Sequence, residues 1–195
     1  MCHRHTRRSG RCVEIGIKKM IERILKEQEK SNVNNRFATV NRETGRLLHL
    51  LVKIKNPKNI LEVGTSIGYS TIWMASALSK GAKLTTLEHS PDRSEIAEKF
   101  FKRSKLNIRL IQGDSLKMIP KLKEKFDVIF LDATKSQYLR YLKAARLNKN
   151  ALIIADNSIS HELKMKDFLD YANKKGAVTL NIGSGITVLT SEFKS

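Results

Sequence analysis

The most informative segment of the chain is ILEVGTSIGYS, at residues 60–70. An apolar run of the β type comes first, a turn with two glycines follows, and a helical pattern begins near Tyr69. Glycine lets the backbone turn sharply and approach a ligand, and the first turn of a helix offers free N–H groups to an anion. The segment therefore predicts a strand, a ligand-binding loop and a helix, the repeating unit of a parallel α/β sheet.

The same alternation continues along the chain. Strands are predicted at residues 59–63, 83–88, 108–112, 127–132, 151–156, 177–181 and 186–190. Near-continuous apolar strands separated by helical runs are typical of a parallel sheet covered on both faces. The last two strands are joined only by the turn sequence IGSG, which predicts a hairpin. We expect an α/β fold with a seven-stranded, mostly parallel sheet and a C-terminal antiparallel hairpin.

Upstream of this sheet the pattern is different. Residues 1–12 carry four arginines and no acidic residue, which predicts a basic, flexible arm. Residues 13–36 are expected to form an amphipathic helix over 13–30 and the start of a polar connector that spans 31–38, and a second helix is expected over 42–52. Cys2, His3, His5 and Cys12 allow an alternative interpretation as a zinc cluster, although their spacing matches no familiar zinc finger.

Size and composition limit the class of protein. The 195 residues fit one domain, and 41% hydrophobic residues suffice for a core. No apolar run approaches the roughly 20 residues that cross a bilayer, so we expect a cytoplasmic protein without a membrane span. The net charge of +18 permits a nucleic-acid partner. The alternative is a lysine-rich proteome, but Lys and Arg outnumber Asp and Glu by 37 to 19.

The ends of the first two strands favour one nucleotide cofactor over another. Glu88 ends the second strand, 24 residues after Gly64, where Rossmann-type sites place the acid that binds ribose hydroxyls. A nicotinamide cofactor is disfavoured because Ser66 and Tyr69 stand where its motif needs glycine. Glu62 suits a cationic amino group, and Ser70 suits a carboxylate. The loop therefore favours S-adenosylmethionine, whereas a plain turn and a solvated Glu88 are the alternatives.

The ends of the next three strands carry further oxygen-bearing side chains. Asp114 and Ser115 suit either the edge of an adenine ring or the N-cap of a helix. Asp132, Asp156 and Asn157 follow the fourth and fifth strands, and converging oxygen ligands favour Mg²⁺. The alternative is that each is a turn residue.

Lys135 lies three residues after Asp132. Burial beside a divalent cation would lower its pKa and let it take a proton from a hydroxyl, whereas position alone favours a solvated lysine.

The set of motifs resembles the cation-dependent O-methyltransferases, the family of catechol and caffeoyl-CoA O-methyltransferases. ILEVGTSIGYS, TTLEHSP, LIQGDSL, VIFLDATK, LIIADN and IGSGITVL occur in the family's order over residues 37–191. The resemblance implies a Rossmann-like class I methyltransferase fold for residues 37–195 and a homodimer.

The resemblance also implies a role for individual residues. Asp132, Asp156 and Asn157 match the ligands of Mg²⁺ or Mn²⁺, and Lys135 matches the catalytic base that acts beside Asp132. The implied contacts to S-adenosyl-L-methionine are Val40, Glu62, Gly64, Thr65, Ser70, Glu88, Asp114, Ser115 and Asp132. The implied reaction is an in-line displacement in which the metal chelates two neighbouring oxygens of the acceptor.

Two departures from the family affect the methyl acceptor. The segment after Asn157 is short, so a helix follows from about His161 and the pocket is expected to be open. The second departure is the basic charge, which a small phenol does not require. Both fit the bacterial relatives that methylate 5-hydroxyuridine in transfer RNA, while a catechol-like phenol stays the alternative. A binding module without catalysis is a third hypothesis, disfavoured because all four metal and base positions are intact.

Overall fold

The computed structural model of the protein describes the backbone of residues 5–192 and the side chains of residues 16–192. Seven strands form one sheet: β1 Asn59–Val63, β2 Lys83–Glu88, β3 Ile108–Gln112, β4 Phe126–Leu131, β5 Leu147–Ala155, β6 Val178–Leu180 and β7 Ile186–Thr190. The α-helices are α1 His5–Ser31, α2 Arg42–Lys55, α3 Tyr69–Ala75, α4 Pro91–Ser104, α5 Ser115–Met118, α6 Tyr138–Ala144 and α7 Lys166–Asn173.

The strand order is β3-β2-β1-β4-β5-β7-β6. Strands β1 to β5 pair in parallel, and β7 pairs antiparallel with both β5 and β6. The predicted seven-stranded sheet with its closing hairpin is therefore confirmed. The chain reverses its direction of travel across the sheet between β1 and β4, and in open parallel sheets such a switch point creates a crevice for ligands.

Helices cover both faces of the sheet and enclose two apolar cores. Helices α1 to α4 pack on one face, where Leu48 and Ile72 are fully buried. Helices α6 and α7, with the segment after α5, pack on the other, where Tyr138 and Phe168 are fully buried. Each buried Leu or Ile contributes roughly 1.5–3 kcal/mol, so the two cores fix the strand ends that carry the polar residues.

The N-terminal helix begins earlier than the sequence predicts. It starts at His5 rather than Val13, so residues 5–12 are helical in the structure and not irregular. Apolar periodicity gives no signal there, because a helix already formed on an amphipathic segment extends without burying an apolar face. Residues 1–4 lie outside the described part of the chain, as do the cysteine and histidine side chains of the suggested zinc cluster.

Smaller differences concern the ends of elements. β4 ends at Leu131 and β5 at Ala155, so Asp132 and Asp156 are the first residues after their strands. The helix predicted after Ser115 is split into α5 and a 3-10 turn at Ile119–Lys121, because Pro120 cannot donate the hydrogen bond that continues a helix. Within residues 5–192, none of the helices has the length and apolar character that a membrane span requires.

Candidate active site

One large cavity opens at the carboxyl ends of the parallel strands. Its volume is about 1000 Å³, which is the upper end of the range for ligand pockets and leaves room for two small molecules. Eleven of the twelve side chains that the sequence singled out line it, and only Glu62 does not. The eleven are Val40, Gly64, Thr65, Ser70, Glu88, Asp114, Ser115, Asp132, Lys135, Asp156 and Asn157.

The glycine loop after β1 lies against the loop after β4. Gly64 has a φ of 102°, and a Cβ atom built on it would lie 2.2 Å from the carbonyl oxygen of Asp132. An L-amino acid at position 64 would therefore be strained and would also collide with backbone. The sequence predicts the close approach of a ligand at Gly64; the structure places the backbone of Asp132 there, at the lining of the cavity.

Glu88 is held by two backbone amides at the end of β2. Its Oε2 accepts a hydrogen bond from the N–H of Ser66 at 2.7 Å, and its Oε1 accepts one from the N–H of Ser90 at 2.9 Å. The carboxylate is nearly buried, with 7% of the residue exposed, and it lines the cavity. Each carboxylate oxygen has two lone pairs, so both oxygens keep the capacity to accept a ligand hydroxyl.

Glu62 lies behind the cavity wall. Leu61 and Val63 of β1 face one core, so the alternation of the strand turns Glu62 to the other face, under α3. There its carboxylate accepts hydrogen bonds from the hydroxyls of Ser70, at 2.6 Å, and Thr71. Burial raises the pKa of Glu62 to about 7, against the lowering effect of these hydroxyls. Glu62 is therefore absent from the cavity lining, and Ser70, which does line the cavity, connects it to the site.

The remaining cofactor candidates line the cavity from three directions. The side chain of Asp114 accepts a hydrogen bond from the N–H of Leu116 at 2.9 Å and caps α5, so the N-cap interpretation holds while both Asp114 and Ser115 also face the cavity. The hydroxyl of Thr65 bonds that of Thr86 at 2.5 Å. Val40 is buried in front of α2.

Asp132, Asp156 and Asn157 come together on one wall of the cavity. The Oδ1 atoms of Asp156 and Asn157 are buried and have no hydrogen-bond partner among the described residues. A buried polar atom without a partner costs roughly 1–3 kcal/mol, and these two adjacent oxygens, on residues that line the cavity, leave acceptor capacity that a ligand could take up. Two carboxylates and an amide are hard oxygen donors, and they fit a cation such as Mg²⁺ or Mn²⁺.

The electrostatics of this wall also suit a cation. Burial raises the pKa of Asp132 to about 7; Lys135 opposes the effect and Asp156 adds to it. Burial likewise raises the pKa of Asp156, with the hydrogen bond from the backbone N–H of Asn157 and the charge of Lys135 opposing it. Two neighbouring buried carboxylates resist ionising together unless a positive charge lies between them.

Lys135 supplies one positive charge at the wall. Its Nζ lies 2.8 Å from Oδ1 of Asp132 and 5.5 Å from the centre of the Tyr138 ring, with 18% of the side chain exposed. The lysine is therefore not the solvated helix residue that its position alone would favour. It stands at the start of a 3-10 turn, Lys135–Gln137, directly before α6.

The N-terminal helix and its connector hold the glycine loop from outside. The side-chain amide of Gln28, which is buried, donates to the carbonyl of Ile67 at 2.7 Å. The Tyr69 hydroxyl donates to Glu29 at 2.5 Å, and the Ser66 hydroxyl donates to the Phe37 carbonyl at 2.5 Å. Residues 28–37 thus hold Ser66 and Ile67 of the loop and Tyr69 at the start of α3.

Some cavity residues are not apparent from the sequence. They include Asn41, Thr44, His89, Arg93, Tyr141, Ser160, His161, Gly183 and Ser184. Asn41 carries a recognisable signal, because it precedes a helix and accepts the N–H of Thr44 at 2.8 Å as an N-cap. The hairpin turn at Gly183 packs on this cap, a contact between distant parts of the chain that no local pattern reveals.

Comparisons with known proteins agree with this geometry. The sequence model of the O-methyltransferase family matches residues 14–187. A catechol O-methyltransferase of Niastella koreensis is 42% identical over 129 residues, which are 62% of this chain and 58% of that protein. A putative caffeoyl-CoA O-methyltransferase of Arabidopsis thaliana is 30% identical over 198 residues, covering 85% of this chain and 84% of that protein. The match thus spans little more than half the length of the Niastella koreensis protein and of Danio rerio catechol O-methyltransferase B, of which it covers 52%.

Solved structures lead to the same family. An O-methyltransferase from Bacillus cereus, in complex with SAH, superposes with a TM-score of 0.76 at 30% identity and covers 89% of this chain and 91% of that one. A putative caffeoyl-CoA O-methyltransferase from Staphylococcus aureus gives a TM-score of 0.77 at 26% identity, with 91% and 100% covered. With its fold, its cavity and a family match over residues 14–187 in agreement, the chain belongs to the O-methyltransferase family.

Proposed function

We propose that the chain is an S-adenosylmethionine-dependent O-methyltransferase that requires a divalent cation, Mg²⁺ or Mn²⁺, and methylates a hydroxyl next to a second oxygen. The observation that carries the proposal is the pair of buried, partnerless oxygens on Asp156 and Asn157, beside Asp132 and in the same cavity as the glycine loop. The Bacillus cereus relative, solved with SAH, supports the choice of cofactor.

Each side of the cavity has a separate task in this proposal. Glu88 binds the ribose hydroxyls, and Asp114 and Ser115 bind the adenine edge. Ser70 binds the methionine part of the cofactor and is backed by Glu62, whose ionisation a cationic amino group nearby would favour.

The wall that carries Asp132, Asp156 and Asn157, here called the metal wall, orients the acceptor. Asp132, Asp156 and Asn157 would hold the cation, which when bound polarises two neighbouring oxygens of the acceptor, while S-adenosylmethionine supplies an activated methyl group. Lys135 lies at this wall; a cation bound there would favour loss of the lysine's own proton to solvent, and the neutral amine then takes the proton from the acceptor hydroxyl. Because the cavity walls are buried and their dipoles are fixed before the ligands arrive, most of the acceleration is expected from positioning and charge stabilisation.

Removing one metal ligand tests the proposal. Asp156→Ala should abolish Mn²⁺ binding, measured by electron paramagnetic resonance of free Mn²⁺, and should lower methyl transfer by about 100-fold or more. The affinity for SAH, measured by calorimetry in EDTA, should change less than about threefold, because Asp156 lies on the metal wall. Asp170→Ala is the matched control, since Asp170 is an exposed acid on α7 that pairs with Lys166. Full turnover by wild-type protein in excess EDTA would refute the metal site.

The acceptor is proposed as either a catechol-like phenol or a 5-hydroxyuridine in transfer RNA, since both present two vicinal oxygens to a metal. The net charge of +18 favours the RNA. Transfer RNA containing 5-hydroxyuridine and free catechol should be compared as acceptors at two salt concentrations. Efficient methylation of catechol, with RNA neither bound nor modified, would exclude the RNA acceptor. The homodimer and the cytoplasmic location stay predictions, and light scattering would test the first.

A further inference from the structure

Two neighbouring elements on one face of the sheet carry a set of exposed cations, here called the basic layer. The set comprises Lys117, Lys121, Lys123, Arg140, Lys143 and Arg146. The first three lie on α5 and the segment after it, and the other three lie on α6 and just beyond. The segments pack against each other, and the Arg146 guanidinium donates to the carbonyl of Lys123 at 3.3 Å. The six charges thus belong to one surface.

The basic layer forms no salt bridge with the acidic side chains that the structure describes. Within residues 16–192, none of the ion pairs involves any of its six members. The three acids between residues 115 and 146 are already engaged. Glu124 pairs with Lys83 and Arg109, Asp127 accepts two backbone amides, and Asp132 pairs with Lys135. The opposite face differs, because α4 pairs its lysines with its own acids, as in Lys99 with Glu95. The positive potential of the layer is therefore uncompensated locally.

The basic layer begins at the rim of the cavity. Ser115, the first residue of α5, and Tyr141 of α6 both line the cavity. Each of these helices runs away from the carboxyl ends of the strands, so the cations continue from the rim down the face of the protein. At 1.5 Å per helical residue, α6 rises roughly 6 Å from Arg140 to its end at Ala144, and Arg146 lies beyond that end, so the three cations can contact more than one phosphate of a nucleic-acid strand.

We propose that the basic layer binds the phosphate backbone of a nucleic-acid strand whose reacting base enters the cavity. The inference rests on the proposed function and deepens it by assigning the surface that holds the acceptor. Among the described residues, none of the largely exposed apolar side chains lies between 115 and 146. Their absence disfavours a partner that inserts apolar groups, whereas phosphate contacts need only cations.

A charge-matched pair of variants tests the proposal. The layer variant carries Lys117→Ala, Lys121→Ala, Arg140→Ala and Lys143→Ala. The control variant carries Lys18→Ala, Lys19→Ala, Lys99→Ala and Lys102→Ala, which remove the same charge from exposed positions of α1 and α4. Fluorescence anisotropy with labelled single-stranded RNA and DNA of one sequence, without cofactor, gives the dissociation constant between 50 and 200 mM salt.

The layer variant should bind at least about tenfold more weakly than wild type, and its log–log salt slope should fall by roughly 3, at about 0.7 for each lost phosphate contact. The control variant should keep most of the wild-type affinity and most of the wild-type salt slope. Equal losses in the two variants, or no binding of either strand by wild type, would overturn the proposal. Catechol methylation and SAH binding should stay unchanged in both variants, so a failure of the proposed function would show separately, as wild-type protein inactive on every acceptor.

Discussion

Replacing Glu62 by glutamine should change how the stability of the protein depends on pH. Glu62 is fully buried, and its carboxylate accepts hydrogen bonds from the neutral hydroxyls of Ser70, Thr71 and Thr86. Glutamine has nearly the same shape, and hydroxyls can rotate to accept from its amide. The substitution therefore removes one ionisable group while leaving the packing under α3 in place.

The magnitude follows from the raised pKa. Burial moves the pKa of Glu62 from 4.5 to about 7, so the folded chain holds this proton more tightly than the unfolded chain. The resulting stability is fully present below pH 4.5 and is lost as the pH rises through 7. A pKa of about 7 in place of 4.5 corresponds to about 3 kcal/mol in all. Between pH 5 and pH 8, wild type should lose about 2.5 kcal/mol relative to Glu62→Gln.

The assay is urea unfolding followed by the fluorescence of Trp73, the single tryptophan, at four pH values in EDTA without cofactor. The charge of Glu62 is only a minor cause of the raised pKa of Asp132, so most of the contribution of Asp132 cancels in the difference between the two proteins. Glu98→Gln, an exposed change on α4, is the control and should follow wild type within about 0.5 kcal/mol. A wild-type minus Glu62→Gln difference that stays constant with pH, or that grows in favour of wild type as the pH rises, would refute the reasoning.

Two further substitutions test the packing behind the site. Gly64→Ala should destabilise the protein by more than about 3 kcal/mol and weaken SAH binding, because its Cβ would meet the Asp132 carbonyl. The control is Gly81→Ala, where φ is also positive, at 86°, but no atom lies within 4 Å of the added Cβ. It should cost only about 1 kcal/mol when both variants are measured by thermal unfolding. Leu48→Ala, at a fully buried position of α2, should lower the free energy of unfolding in urea by about 2–5 kcal/mol. Leu50→Ala, at a 53% exposed position of the same helix, should lower it by no more than about 1 kcal/mol. Equal losses would contradict the assignment of Leu48 to the core.

The sheet and most of the candidate site follow from local sequence, and the reason is geometric. Parallel strands end at the same edge, so residues such as Glu88, Asp132 and Asp156 must lie along one edge of the sheet once the strands are assigned. Motif order could therefore place the cavity without any knowledge of side-chain contacts. The bounds of β1, β2, β3 and β7 match the predicted ones for the same reason, since each is a short apolar run limited by polar residues or turns.

The features that the sequence does not reveal are the direction in which a side chain points and the contacts between residues far apart in the chain. Glu62 was expected in the cavity because it precedes the glycine, but strand alternation turns it beneath α3. The cavity wall at Gly183 depends on a hairpin that meets the cap of α2 about 140 residues earlier, a contact that turn chemistry cannot specify. The start of α1 at His5 was missed because its first turns carry no apolar stripe.

The contacts of residues 28–37 with the glycine loop change the meaning of the boundary predicted at residue 37. A fragment beginning there would keep Glu88 and the whole metal wall, yet the carbonyl of Ile67 would lose the donor that Gln28 provides. The loop would then have to be ordered when the cofactor arrives, and that conformational entropy would be subtracted from the binding free energy. The N-terminal helix thus preorganises the nucleotide site. The glycine loop loses its conformational entropy once, during folding, and not at each round of binding.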